Sequence, residues 1–171
     1  MKPYEENIVT FTAMFDGYSG ALARFEIAAK QQDGAAAYVP LFEALNWAVV
    51  LDDRTAAHFE PEGKPLGFAW RDRVAGADLM RGVRFARNSI HHDWSDALRL
   101  DTGGMRFPMT FPVVFFEWTW CRAADLAKRG KADAEGEAVY GEALEGQPVR
   151  HTLTQLGLVF SFLRALLEPF T

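Results

Sequence analysis

The sequence predicts a mostly α-helical fold: a bundle of four or five helices with a short strand or hairpin segment near residues 110–120. Three observations predict it. Apolar residues recur at three- and four-residue steps over four long stretches. Gly, Pro and Asp clusters punctuate the chain at 33–34, 60–66, 101–104 and 146–148. Only Thr110 to Trp120 is aromatic and β-branched without a helical period, which is the mark of a strand.

Taken in order, the first helix spans about Tyr4 to Lys30, with Ile8, Phe11, Phe15, Tyr18, Leu22 and Phe25 inward. Gly17 and Gly20 either weaken it locally or let another helix approach closely. The second helix spans about Ala35 to His58, with Tyr38, Leu41, Leu45, Ala48, Val49 and Asp52 along one side. Pro40 fits if that helix begins near Ala37, where a missing N–H costs little. A third helix, about Arg73 to His92, turns Leu79, Val83, Ala86 and Ile90 toward the core, and Phe85 keeps the opposite side from full solvation. Asp93 or Ser95 caps a short helix through Leu98, and Asp101-Thr102-Gly103-Gly104 reads as a turn. Pro112 puts the start of the strand at an edge or bulge. Lys128 to Glu135 is a charged loop. A helix from about Glu135 to Leu144 follows, and Pro148 opens a last one to about Leu167, with Val149, Leu153, Leu156, Val159, Phe160 and Leu163 inward.

A chain of 171 residues is expected to form a single domain. Within it, a core bundle covers about 4–105, and the strand with the C-terminal helices covers about 106–168. The single cysteine, Cys121, allows no intrachain disulfide and reads as a small core residue. The first residues hold no apolar leader segment, and no unbroken apolar run approaches the ~18 residues that span a bilayer. A soluble, cytoplasmic protein without a membrane partner is expected.

The net charge of −5 argues against nucleic-acid attraction by the whole surface. Its distribution is uneven. From Arg71 to Arg106, seven arginines face five aspartates, so this segment carries +2 and the remainder −7. A local basic site on an acidic body is one reading; a solvated helix face is the other.

The chemistry gathers in Arg87-Asn88-Ser89-Ile90-His91-His92, with Arg84 and Arg81 about one and two turns before it. Cleaving RNA without a metal takes a base for the 2′-OH proton, an acid for the leaving 5′-oxygen and a cation for the crowded phosphorus. Histidine suits both proton transfers near neutral pH. Arginine presents a planar fork that matches phosphate oxygens, and asparagine orients either group by hydrogen bonding.

Arg87-Asn88-x-x-x-His92, on a late helix of an all-α bundle, resembles the Arg–polar–x(3–5)–His signature of HEPN domains. The tight match covers about 81–94, and the general likeness of the bundle about 4–105. Many such domains are metal-independent endoribonucleases without a cofactor, and many are toxins or defence effectors. They usually act as homodimers whose two motifs meet in one cleft. The resemblance implies phosphate binding by Arg87, orientation by Asn88 and proton transfer by His92. Arg81 and Arg84 would attract the RNA backbone.

Helix geometry complicates the histidine. Residues 87 and 92 stand about 140° apart on an ideal helix, whereas His91 is the same-face neighbour of Arg87 at i+4. The family pattern selects His92 and the geometry favours His91, so both stay candidates. Either also fits a helix C-terminus, where positive charge is favourable.

Two other functions compete. A non-catalytic partner-binding module, the inert half of a toxin–antitoxin or nucleotidyltransferase-associated pair, predicts that Arg87 is tied into an ion pair with Asp52, Asp53 or Asp78. A metal-dependent bundle enzyme predicts three ligands converging on His91 or His92, although no His-x-x-x-His or Glu-x-x-His pair supports one. Asp52-Asp53 reads as solvated or arginine-paired, because consecutive helical residues diverge. The Phe111–Trp120 run reads as core or dimer interface more than as a base-stacking surface. There is no Gly-x-Ser-x-Gly elbow, phosphate-binding Gly-rich loop or zinc-type cysteine spacing.

Overall fold

The computed structural model describes residues 3–31, 33–60, 70–93, 98–105, 113–126 and 133–167; the side chains of 3–10, 92–93, 102–105 and 113–116 lie outside that description. Six α-helices and one β-hairpin form among these residues: α1 (Pro3–Lys30), α2 (Gly34–Phe59), α3 (Trp70–Arg73), α4 (Leu79–Asp93), β1 (Leu98–Met105), β2 (Val113–Trp120), α5 (Ala134–Ala143) and α6 (Val149–Leu167). The fold is mostly α with a short antiparallel hairpin.

Helices α1 and α2 pair as an antiparallel hairpin across a short connection. Phe11, Tyr18 and Phe25 of α1 are buried as their spacing predicts, while Phe15 and Leu22 pack at the edge of the core. Helix α2 lies at the centre, against α1, α4 and α6. By length and composition it is apolar enough to cross a membrane. One face of it is buried within the bundle: Leu41, Ala44, Leu45, Ala48 and Leu51 have essentially no exposed surface. Helix α6 buries Val149, Leu153, Leu156, Val159, Phe160 and Leu163 in the same core. The Tyr18 hydroxyl donates to the Leu153 carbonyl and so bolts α1 to α6.

Four expectations are corrected. Helix α2 starts at Gly34, because the Asp33 carboxylate caps it by accepting from the Ala36 N–H at 3.1 Å. Pro40 therefore lies inside the helix and not in its first turn. The third predicted helix is two pieces. Gly76, at φ +84°, breaks it between α3 and α4, and the intervening residues close successive tight turns. The Asp101–Gly104 segment is not a turn. It belongs to β1, with Asp101 opposite Glu117, Gly103 opposite Phe115 and Gly104 opposite Val114. The partner strand Val113–Trp120 is rich in β-formers, and pairing with it overrides the turn propensity of the glycines. Leu98 opens β1 and does not end a short helix; Ser95 falls outside the described residues.

The hairpin closes one side of the bundle. Trp120 is buried, and its indole donates to the Thr152 hydroxyl at 3.0 Å. Trp118 and Cys121 are buried too, and the Tyr140 hydroxyl donates to the Cys121 carbonyl at 2.8 Å. One connected set of buried apolar residues runs through all six helices and both strands.

Candidate functional site

Helix α4 carries the predicted chemistry, and it packs on α2 with the two chains running in opposite directions. The contacts follow in sequence along that seam. Arg84 faces Asp52 and Asp53, Arg87 faces Asn46, and His91 faces Phe42. Steps of three and four on α4 meet steps of four to six on α2, as two antiparallel helical edges require. Val83, Ala86, Ser89 and Ile90 point inward beneath this edge and are buried.

Asp52 is fully buried and holds two arginines. Arg71 of α3 donates to one carboxylate oxygen at 2.8 Å, and Arg84 donates through Nε to the other at 2.9 Å. The exposed Asp53 takes a second contact from Arg84. Burial disfavours the charge on Arg84. The hydrogen bonds and charges of Asp52 and Asp53 outweigh that penalty and hold its pKa above the usual arginine range. Arg71 also lies over the Trp70 ring, 4.2 Å from its centroid. The network ties α2, α3 and α4 together, and of the two roles the sequence left open for Asp52-Asp53, solvated or arginine-paired, the structure shows arginine pairing. Arg84 is thereby committed to holding the helices. Arg81, on the exposed side, pairs with Glu135 in the first turn of α5.

Arg87 has a different setting. Its Nε donates to Asn46 Oδ1 at 3.0 Å, and Nη1 donates to Asn88 Oδ1 at 3.2 Å. Asn46 is itself oriented, because its amide nitrogen donates to the Phe42 carbonyl at 2.8 Å and leaves the oxygen facing Arg87. Among the described residues no carboxylate pairs with Arg87; Asp52 and Asp53 are taken by Arg84. Its guanidinium is thus aimed by two neutral oxygens, keeps its charge uncompensated by them and has three N–H donors without a partner among the described residues.

His91 is exposed and stacks on Phe42, at 5.7 Å between centroids and 16° between planes. Asn88 is exposed beside Arg87. His92 belongs to the last turn of α4, and its side chain lies outside the described residues. Among the described residues no three His, Cys, Asp or Glu side chains converge as metal ligands. His58 sits near the far end of α2 against Phe59, and His151 is exposed on α6.

Sequence reasoning missed Asn46 and Phe42. Both lie one turn apart at the margin of the buried stripe of α2, where a polar and an aromatic residue look unremarkable. Only the register of α2 on α4 gives them their partners. Comparison of the chain with family models, with curated proteins and with solved structures finds no match.

Proposed function

We propose that this chain is a metal-independent endoribonuclease of the HEPN type, cleaving RNA by attack of the 2′-OH. A histidine base takes the 2′-OH proton while O2′ bonds to phosphorus. The P–O5′ bond breaks, an acid gives its proton to O5′, and the products are a 2′,3′-cyclic phosphate and a 5′-OH. Arg87 neutralises the phosphoryl oxygens as the phosphorus becomes five-coordinate. Asn88 and Asn46 hold its fork, and His92 moves the protons. Arg84 acts as a positioning residue that fixes α4 on α2, and Arg81, paired with Glu135, contributes little.

One observation carries the reading. Arg87 is held by two amide oxygens and by no carboxylate among the described residues, while Arg71, Arg81 and Arg84 each pair with at least one. An arginine kept for an external anion looks like this; the competing binding-module reading expects it in an ion pair with Asp52, Asp53 or Asp78. A second copy of the chain would bring another His92 toward Arg87 across the 140° divergence, so a homodimer is part of the proposal. The cytoplasm, where RNA is plentiful and a lone buried thiol stays reduced, is its compartment. Its biological setting would be a toxin or defence system, restrained by an antitoxin or nucleotidyltransferase partner.

The non-catalytic module has one observation of its own: Leu158, Phe162 and Leu166 form an exposed apolar row on α6. The deciding experiment incubates purified protein with labelled RNAs in EDTA, beside Arg87→Ala, His91→Ala and His92→Ala. Cleavage ending in cyclic phosphate, reduced about 10²–10³-fold by Arg87→Ala and abolished by His92→Ala, is expected. No cleavage by the wild type at high concentration favours the binding module.

A further inference from the structure

A second cleft lies away from Arg87, where the last two turns of α1, strand β2 and the first turn of α6 come together. It holds about 220 Å³. Phe25 and Ala29 of α1 and Trp118 of β2 give it apolar walls. Four charges stand around them: Glu26 and Lys30 from α1, Glu117 from β2 and Arg150 from α6. Gly34, which backs the Trp118 ring, and Asn46, which grips Arg87, are about 18 Å apart along α2, so the two places are separate.

The charges around this cleft are unspent. Glu26 and Lys30 stand at i and i+4, in the order that ordinarily pairs on a helix, yet neither has an ion pair among the described residues. Arg150 and Glu117 stand 3.6 Å apart, beyond hydrogen-bonding distance. Arg71, Arg99 and Arg122 meet their carboxylates at 2.8, 3.0 and 2.9 Å. The aromatic wall is rigid and one acceptor short. A Cβ on Gly34 would stand 3.0 Å from the edge of the Trp118 ring, so α2 backs the indole closely. Trp118 is only 9% exposed, and its indole N–H has no hydrogen-bond partner among the described residues, whereas Trp120 donates to Thr152. Native interiors leave few such donors open.

Signs and size select the ligand. A lone anion or a lone cation would meet like charges as well as opposite ones, while a zwitterion satisfies both pairs. The space is below the ~300–1,000 Å³ of sites for drug-sized ligands, so it takes a small molecule and no folded partner. The walls of Phe25, Ala29 and Trp118 call for an apolar body beside the two charges.

We propose that this cleft binds a free α-amino acid with an apolar side chain. Lys30 and Arg150 meet its carboxylate, Glu26 and Glu117 meet its ammonium, and the apolar walls take its side chain. The carboxylate is also an acceptor of the kind that the chain does not give Trp118. The site shares no residue with the proposed nuclease and does not rest on it.

The test uses the full chain labelled with ¹⁵N, titrated with leucine at millimolar concentrations. Each of the five tryptophans gives one indole N–H resonance, and Trp118→Phe identifies that of Trp118. Calorimetry reads affinity in parallel and needs no variant. Leucine should shift the Trp118 resonance saturably and more than the other four. Leucine amide and N-acetyl-leucine, which each lack one charge, should bind about tenfold more weakly, and so should glycine, which lacks the apolar body. Lys30→Met and Glu117→Gln should each weaken leucine about five- to tenfold at an unchanged urea midpoint, because both side chains reach solvent.

Leucine binding that leaves the Trp118 resonance in place overturns the site, since the amino acid then sits elsewhere. Leucine amide or N-acetyl-leucine binding as tightly as leucine overturns the zwitterion. No binding of leucine, valine or methionine overturns the proposal outright. None of these results bears on RNA cleavage, which turns on Arg87 and His92.

Discussion

A carboxylate with no exposed surface must find cations, and Asp52 finds Arg71 and Arg84. Both arginines remain about one-third exposed, so water shares their charge and the cost of losing the anion sits at the low end for buried pairs. Asp52→Asn should destabilise the fold by about 2–3 kcal/mol, read as a lower urea midpoint at unchanged slope. Removing the Tyr18 hydroxyl is milder. Tyr18→Phe loses one buried hydrogen bond to Leu153 and should cost about 1 kcal/mol in the same assay. His58 gives stability a pH dependence. Burial holds its pKa below the ordinary histidine value, so the unfolded chain binds that proton more readily than the folded one. Its contribution is intact above about pH 6.5 and is lost as the pH falls from there through the folded pKa. His58→Gln should flatten that acid limb when urea midpoints are compared between pH 7.5 and 5. Residue roles were only partly legible in the sequence. Helical divergence left Asp52-Asp53 either solvated or arginine-paired; that Arg84 takes both carboxylates, and which arginine is spared, depended on three-dimensional neighbours.

Among the elements, the close helix contacts separate two glycines that the sequence leaves equivalent. A Cβ at Gly17 would stand 2.6 Å from the Trp47 indole, whereas at Gly20 the nearest atom is the Arg24 guanidinium at 3.5 Å. Gly20→Ala should therefore stabilise the protein by up to about 1 kcal/mol through helix propensity, and Gly17→Ala should not. Gly82 faces a less yielding neighbour. Its Cβ would meet the Tyr140 backbone N and Cα at 3.2 Å, and backbone cannot swing aside as a side chain can. Gly82→Ala should cost about 1–2 kcal/mol net despite alanine's better propensity, with α5 displaced from α4. The long helices were readable because their apolar period persists over several turns. Asp33 as a cap and Gly76 as a break were not: short polar residues and glycines carry the same local signal whether they start, interrupt or border a helix. Strand β1 was hidden for a related reason, since Gly103 and Gly104 pair only because Phe115 and Val114 lie opposite.

At the scale of the molecule, the charge of −5 means that any RNA contact must be local. Arg81 and Arg84 already face carboxylates, so under the proposed function they would release few counterions on RNA binding. Arg87→Ala should lower the slope of log affinity against log salt by about 0.7, and Arg81→Ala should leave it nearly unchanged, in titrations of single-stranded RNA from 50 to 300 mM salt. The candidate site was legible as a cluster on one helix. Its other half, Asn46 and Phe42 on α2, was not, because no pattern within either helix encodes which turn of one rests against which turn of the other.

The clasp of α2, α3 and α4 on a single carboxylate bears also on how this sequence can drift. Positions 52, 71 and 84 share one electrostatic balance although they lie on three separate helices. Changing any one alone passes through an unmatched buried charge, while changing all three to apolar residues of similar volume need not weaken the fold. Descendants of this chain should therefore keep the trio intact or exchange it as a unit, and a survey of diverged copies would find these three sites inherited together.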